Sequence, residues 1–205
     1  MPHQRYFYQP HLGHNLKHNP FNAIIAPRPI GWISTKSLSG DLNLAPYSFF
    51  NAFNYHPPII GFSSIGYKDT VKNIQESGVF CWNLVSESLV DAMNQTSATL
   101  PSTQSEFDFA GLAIGKSNVV DVPHVANSLC VFECKKTQIM QLTEADGKLV
   151  DTWMVMGEVV GVHIDNSLIE EGIYNTALAK PVLRAGGAGD YFKVNSEQKF
   201  TLNRP

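Results

Sequence analysis

Ser63, Ser64, Lys68 and Thr70 fall within eight residues, at the junction of a short apolar strand, Ile59-Ile60-Gly61-Phe62, and a helix that Asp69-Thr70 can cap. Hydroxyls, a lysine and the free N–H groups of a helix start are the donors that a phosphate needs, and the positive end of the helix adds to them. Asp69 acts in the opposite sense, as an anion at the same helix end, where cap and Lys68 partner are its natural roles. An ordinary capped surface helix would carry the same residues. A second concentration lies in NLAPYSFFNAF, residues 43–53, which keeps the small polar Ser48 and Asn51 among Tyr47, Phe49, Phe50 and Phe53. A pure core strand has no need of them, although bonds within the strand or a turn account for them equally well. His163 closes a hydrophobic strand and Tyr191 follows a glycine run. Each fits a structural role as well as a place beside a ligand.

These residues need elements to hold them. Ile30, Trp32 and Ile33 predict a strand from a Pro-flanked entry to Thr35, and Ser39-Gly40-Asp41 predicts the turn of a hairpin. His56-Pro57-Pro58 breaks the chain before the apolar strand, and the helix through Val71 and Ile74 stops at Gly78. Val79 to Val85 reads as a strand, with Ser86 or Ser88 capping a short helix from Leu89 to Met93. Residues 94–106, rich in Ser, Thr and Gln with Pro101, form a loop long enough for a lid or an interface arm. Leu129 to Leu142 and Trp153 to Ile164 are the longest strands, and Asp146-Gly147 makes a hairpin turn between them. The fold class is mainly β with short helices: an antiparallel barrel with Greek-key-like connections rather than a doubly wound sheet.

With 205 residues, 43% of them hydrophobic, one domain over 1–205 is sufficient to bury a substantial core. A formal net charge of −3 with thinly spread basic residues gives no footprint for nucleic acid or an anionic membrane. Cys81, Cys130 and Cys134 form no C-x-x-C pair and read as buried free thiols. No apolar run approaches the ~20 residues of a membrane helix, and Met1-Pro2-His3-Gln4-Arg5 lacks a signal-peptide core, which points to the cytoplasm. His3, His11, His14 and His18 permit a metal cluster by spacing, but no Cys or carboxylate completes a set. Tyr6, Phe7, Tyr8 and Phe21 are expected to dock this arm on the body or on a second subunit.

The runs RPIGWIST, GDLNLAPYSFFNAF, HPPIIGFSS and KDTVKNI, followed by GVFCWN, EFDFAGL, GEVVGVHID and LRAGGAGDY, together resemble the flavin reductase-like family of FMN-binding split-barrel flavoproteins. The resemblance spans most of the chain in order. It implies a split barrel holding FMN, with the isoalloxazine along Asn43 to Asn51, bonded by Ser48, Asn51 and backbone N–H groups near Phe49. Trp32 and Thr35 would flank the ring, and Ser63, Ser64, Lys68 and Thr70 would hold the phosphate. His163 would contact a nicotinamide or tune the flavin, Tyr191 would cover the ring, and Arg184 would meet a nicotinamide phosphate or a surface partner. Gly187-x-Gly189 is no dinucleotide fingerprint, so NADH or NADPH would bind transiently on the barrel. The implied activity is an NAD(P)H-dependent flavin reductase, working as a homodimer with flavin at the subunit boundary and passing reduced flavin to a partner monooxygenase or redox protein. The alternative is a flavoredoxin-like electron carrier with tightly held FMN; a barrel that binds some other ligand is the third reading.

Overall fold

A computed structural model describes residues 4–204. The chain begins with α1 (Phe21–Ile24), β1 (Gly31–Lys36), β2 (Leu42–Tyr47), β3 (Phe50–Asn54), β4 (Ile59–Ile65), α2 (Asp69–Ser77) and β5 (Val79–Asn83). It continues through α3 (Val90–Gln95), α4 (Glu106–Phe109), β6 (Ile114–Gly115), β7 (His124–Val125), β8 (Cys130–Thr143) and β9 (Leu149–Ile164). Two ribbons finish it: β10 (Ile169–Glu170) with β11 (Ile173–Tyr174), and β12 (Val182–Arg184) with β13 (Tyr191–Lys193). Seven strands, in the order β2-β1-β5-β8-β9-β4-β3, form one antiparallel sheet curled into half a barrel. The mainly β architecture read from hairpin turns and strand patterning is the one observed.

Strand β1 shows how the sequence sets the layers. Its side chains alternate, as a strand requires: Ile33 joins Phe62, Val71, Ile74, Phe80 and Val155 under α2, while Trp32 joins Leu44, Val85, Met93 and Phe107 under α3 and α4. Both faces are buried, so the strand lacks the polar alternation of a half-exposed one. Helix α2 buries Val71 and Ile74, each contributing about 2 kcal/mol by leaving water, and ends where Gly78 takes a left-handed φ of 76°. The β1–β2 turn is held by Asp41, whose carboxylate accepts from the Ser37 and Ser39 hydroxyls at 3.1 and 2.6 Å. The β8–β9 hairpin turns at Gly147, as Asp146-Gly147 predicts.

Several expectations are corrected. Residues 43–53 divide into two strands: the Arg28 guanidinium binds the Ser48 carbonyl at 3.0 Å where β2 gives way to β3. Strand β4 runs on to Ile65, so Ser63 and Ser64 pair with Met154 and Trp153 on β9 and are not loop residues. Neither Asp69 nor Thr70 caps α2: Lys68 holds the N-cap position with extended backbone and no side-chain cap, and Asp69 is in the first turn. The Leu89–Met93 helix is displaced to Val90–Gln95 behind a short 3-10 turn over Glu87–Leu89, for which Ser86 supplies no side-chain cap bond. Of the two docking places expected for the N-terminal arm, the body of the same chain is not taken by Tyr6, Phe7 or Phe21; Phe7 is 81% exposed. His14 is engaged locally, Nδ1 accepting from the Leu16 N–H, while His3 lies outside the described residues.

Candidate functional site

Strand β2 is an edge strand, and a cleft of about 450 Å³ follows it. One wall is the stretch Tyr67–Thr70 that opens α2; the other is Thr96–Leu100, with Glu106 between. Past Pro46, Tyr47 and Ser97 the cleft continues into a hollow of about 230 Å³ bordered by Ser48, Met93, Arg184 and Tyr191. The cleft alone is within the range of small-molecule sites, and the hollow extends it.

Buried hydrogen bonds set each wall. Thr35 accepts from Asn73 at 3.1 Å, and Asn43 donates to Thr70 at 2.8 Å, which ties the start of α2 to β1 and β2. Ser64 donates to the Gly66 carbonyl at 2.9 Å, and Gly66, at a φ of 89°, turns the chain toward Lys68. On the opposite wall the Trp32 indole N–H donates to Thr96 at 2.9 Å, and Thr96 donates to the Met93 carbonyl at 2.7 Å. Arg28 gathers the Ser48, Asn22 and Ala185 carbonyls and so joins the end of β2 to the C-terminal ribbon. The ribbon itself is braced by Arg184, which bonds the Asp190 and Ala188 carbonyls and lies over the Tyr191 ring.

Other polar groups on the cleft are not used up. The Tyr47 hydroxyl is buried without a hydrogen-bond partner. Burial pushes its acidity to higher pH, and the neighbouring Thr70 and Ser64 hydroxyls counter this only in part. Glu106 is 9% exposed and accepts the Leu44 N–H at 2.9 Å. Its carboxyl is raised, first by burial and, to a lesser extent, by the charge of Asp69. Among the described residues Lys68 makes no ion pair. The first N–H groups of α2 have no carbonyl partners within the helix.

Of the residues singled out in the sequence, Ser48, Lys68, Thr70 and Tyr191 line this cleft and its hollow. Trp32 and Thr35 do not flank it: both are fully enclosed and brace its walls from behind. Ser64 is buried and shapes the approach to Lys68, and Ser63 donates its backbone N–H to the Phe49 carbonyl. Phe49 lies under the Arg28 guanidinium, and Asn51 is exposed, its side chain bonded to the Ala52 N–H. Neither lines the cleft. Arg184 bonds carbonyls of its own ribbon instead of a surface carboxylate. His163 is placed elsewhere: Nε2 bonds Glu133 at 2.6 Å and the ring packs on His124, with centroids 5.0 Å apart. Asn43 and Tyr47 lie in the 43–51 stretch expected along the ring, and Thr96 and Glu106 in the 94–106 loop expected as a lid or interface arm, but none of the four was singled out as a contact. Ser105 opens the short helix behind Glu106 by accepting the Phe107 N–H.

Comparison with known proteins agrees with this architecture. The family profile described as "Flavin reductase like domain" matches residues 25–181. The chain belongs to that family. It is 36% identical to an uncharacterized protein of Halalkalibacterium halodurans over 187 residues, covering 88% of this chain and 87% of the relative. Nitrilotriacetate monooxygenase component B from Bacillus cereus superposes with a TM-score of 0.86 at 30% identity, covering 98% of this chain and 100% of that one. A split-barrel structure from Shewanella frigidimarina superposes with a TM-score of 0.79 over 89% of this chain and 90% of its own, at 23% identity, which bears on the fold alone. The half-barrel sheet is therefore a split barrel of the flavin reductase type.

Proposed function

We propose that the cleft along β2 holds FMN and that the protein is an NAD(P)H-dependent flavin reductase. The observation that carries this is the order of groups along one strand in a member of the flavin reductase family. Lys68, Thr70 and the start of α2 stand beside Asn43 at one end, and the hollow with Ser48 and Tyr191 lies beyond Tyr47 at the other. The donors at the first end, Lys68, Thr70 and the free N–H groups of α2, suit a phosphate. FMN supplies the two-electron chemistry; this chain binds, orients and partly screens it from water. Tyr191, steadied by Arg184, covers one side of the hollow. NADH or NADPH would approach transiently from the open side, and the reduced flavin would pass to a partner monooxygenase or redox protein, a reading supported by the likeness to a monooxygenase component B. A homodimer is part of the proposal: edge strand β3 exposes Phe53, and Tyr55 beyond it is 80% exposed.

The test is the visible spectrum of the purified protein before and after FMN, followed by anaerobic NADH and NADPH. A bound flavin band that bleaches with either nucleotide supports the reductase. Flavin that bleaches only with dithionite identifies an electron carrier, and absence of binding overturns both. Native mass measurement tests the dimer.

A further inference from the structure

The position of Glu106 carries the argument further, resting on the reading of the cleft as a flavin site. Along β2 the groups fall in a linear order. Asn43 holds Thr70 beside Lys68, Leu44 is bonded by Glu106, and Pro46 to Ser48 open into the hollow beside Tyr191. A ligand with a phosphate at the first end and a flat ring at the other presents its connecting chain to Glu106. In a flavin that chain is a polyol.

Two further observations bear on what the carboxylate does. First, Leu44 N–H is an unpaired edge-strand donor, and a neutral amide would satisfy it without the cost of burying a charge. Among the described residues no lysine, arginine or histidine pairs with Glu106, so the fold does not offset that cost. Second, apart from its own backbone N–H, Glu106 receives only the Leu44 N–H, at Oε2, and a carboxylate with about four lone-pair sites keeps acceptor capacity on a cleft wall.

We propose that Glu106 is a specificity-determining residue that accepts a hydrogen bond from a ribityl hydroxyl and thereby selects a flavin with a hydroxylated side chain. The phosphate plays no part in this selection, so the test uses uncharged ligands. Wild-type protein and Glu106→Gln are titrated at pH 8 with riboflavin and with lumiflavin, which has the same ring with a methyl group in place of the ribityl chain; flavin fluorescence is the readout. Gln keeps an oxygen for Leu44 N–H and turns an N–H₂ donor toward the cleft. The expected result is riboflavin weakened about tenfold, the loss of a hydrogen bond from a ribityl hydroxyl to a charged acceptor, with lumiflavin unchanged within about twofold. Glu106→Asp, which keeps the charge but retracts it, gives an intermediate loss for riboflavin. Equal weakening of both ligands assigns Glu106 to the shape of the cleft and overturns the proposal, as does riboflavin binding that neither variant alters. Wild-type protein that binds neither ligand nor FMN overturns the flavin reading, and this assignment with it.

Discussion

Glu133 offers a quantitative test of the fold's polar bracing. Its side chain, 1% exposed, bonds the N–H groups of Asn118, Val119 and Val120 at 2.8, 2.6 and 2.8 Å, and His163 at 2.6 Å. Burial by itself raises the carboxyl, but these four bonds outweigh it and hold the group at about 2, against a reference of 4.5. A depressed carboxyl stabilises the folded state above its unfolded pKa, and the contribution is lost as pH falls from about 4.5 towards about 2. The shift corresponds to about 3 kcal/mol, and solvent screening on the partly exposed His163 side reduces the expected loss to about 2 kcal/mol. Glu133→Gln has one oxygen to serve donors that occupied two, and its N–H₂ faces a backbone N–H; at pH 7 it costs about 2–3 kcal/mol. Urea unfolding of both proteins from pH 7 to pH 2.5 measures this. The gap between them is expected to be largest at neutral pH and to narrow by about 2 kcal/mol across the acid range. Parallel curves would refute the reasoning, since they would mean that Glu133 titrates alike in the folded and unfolded states.

Lys68→Ala is expected to weaken FMN by about tenfold or more, through loss of a charged donor, and to leave riboflavin nearly unchanged; equal weakening of the two would remove Lys68 from the phosphate. Trp32→Phe severs the bond to Thr96 and leaves a small void, costing about 2 kcal/mol of stability and loosening the Thr96–Leu100 wall, so FMN weakens severalfold. An unchanged thermal midpoint and affinity would contradict this. Tyr47→Phe removes a buried hydroxyl that lies beside Thr70 and Ser64 without a well-formed hydrogen bond, so the flavin-free protein keeps its stability or gains up to about 1 kcal/mol, as thermal unfolding would show. Destabilisation of the flavin-free protein would show that the hydroxyl has a partner within the chain.

What could be read ahead of the structure followed the range of the interactions. The β1–β2 and β8–β9 hairpins and the stop of α2 depend on Asp41, Asp146-Gly147 and Gly78, each acting within a few residues, and all were visible as local patterns. The break at Ser48 was not, since the Arg28 contact that accompanies it comes from 20 residues away. Glu106 reaches Leu44 across 62 positions, and His163 finds Glu133 across the sheet. No spacing rule encodes either contact.

The same limit applies within the site, where residue type did not separate frame from ligand contact. Thr35 and Thr70 are both buried hydroxyls in one hydrogen-bond network, yet only Thr70 reaches the cleft, because Thr35 lies one strand further in, on β1. Trp32 has the flat ring expected beside a flavin, but its N–H is spent on Thr96 and its ring is enclosed in the buried cluster with Leu44 and Phe107. Tyr47, in the stretch expected along the ring, is packed into the core against Phe62, with ring centroids 4.6 Å apart, and its hydroxyl is buried with it. The useful division is therefore between polar groups whose bonds are complete and those with capacity left. Thr35, Asn73, Trp32 and Thr96 belong to the first set and form the walls, whereas Lys68 and Glu106 belong to the second and face the space between them. Completed bonds make the walls stiff, and a stiff wall lets the few unspent groups act at fixed positions on a ligand.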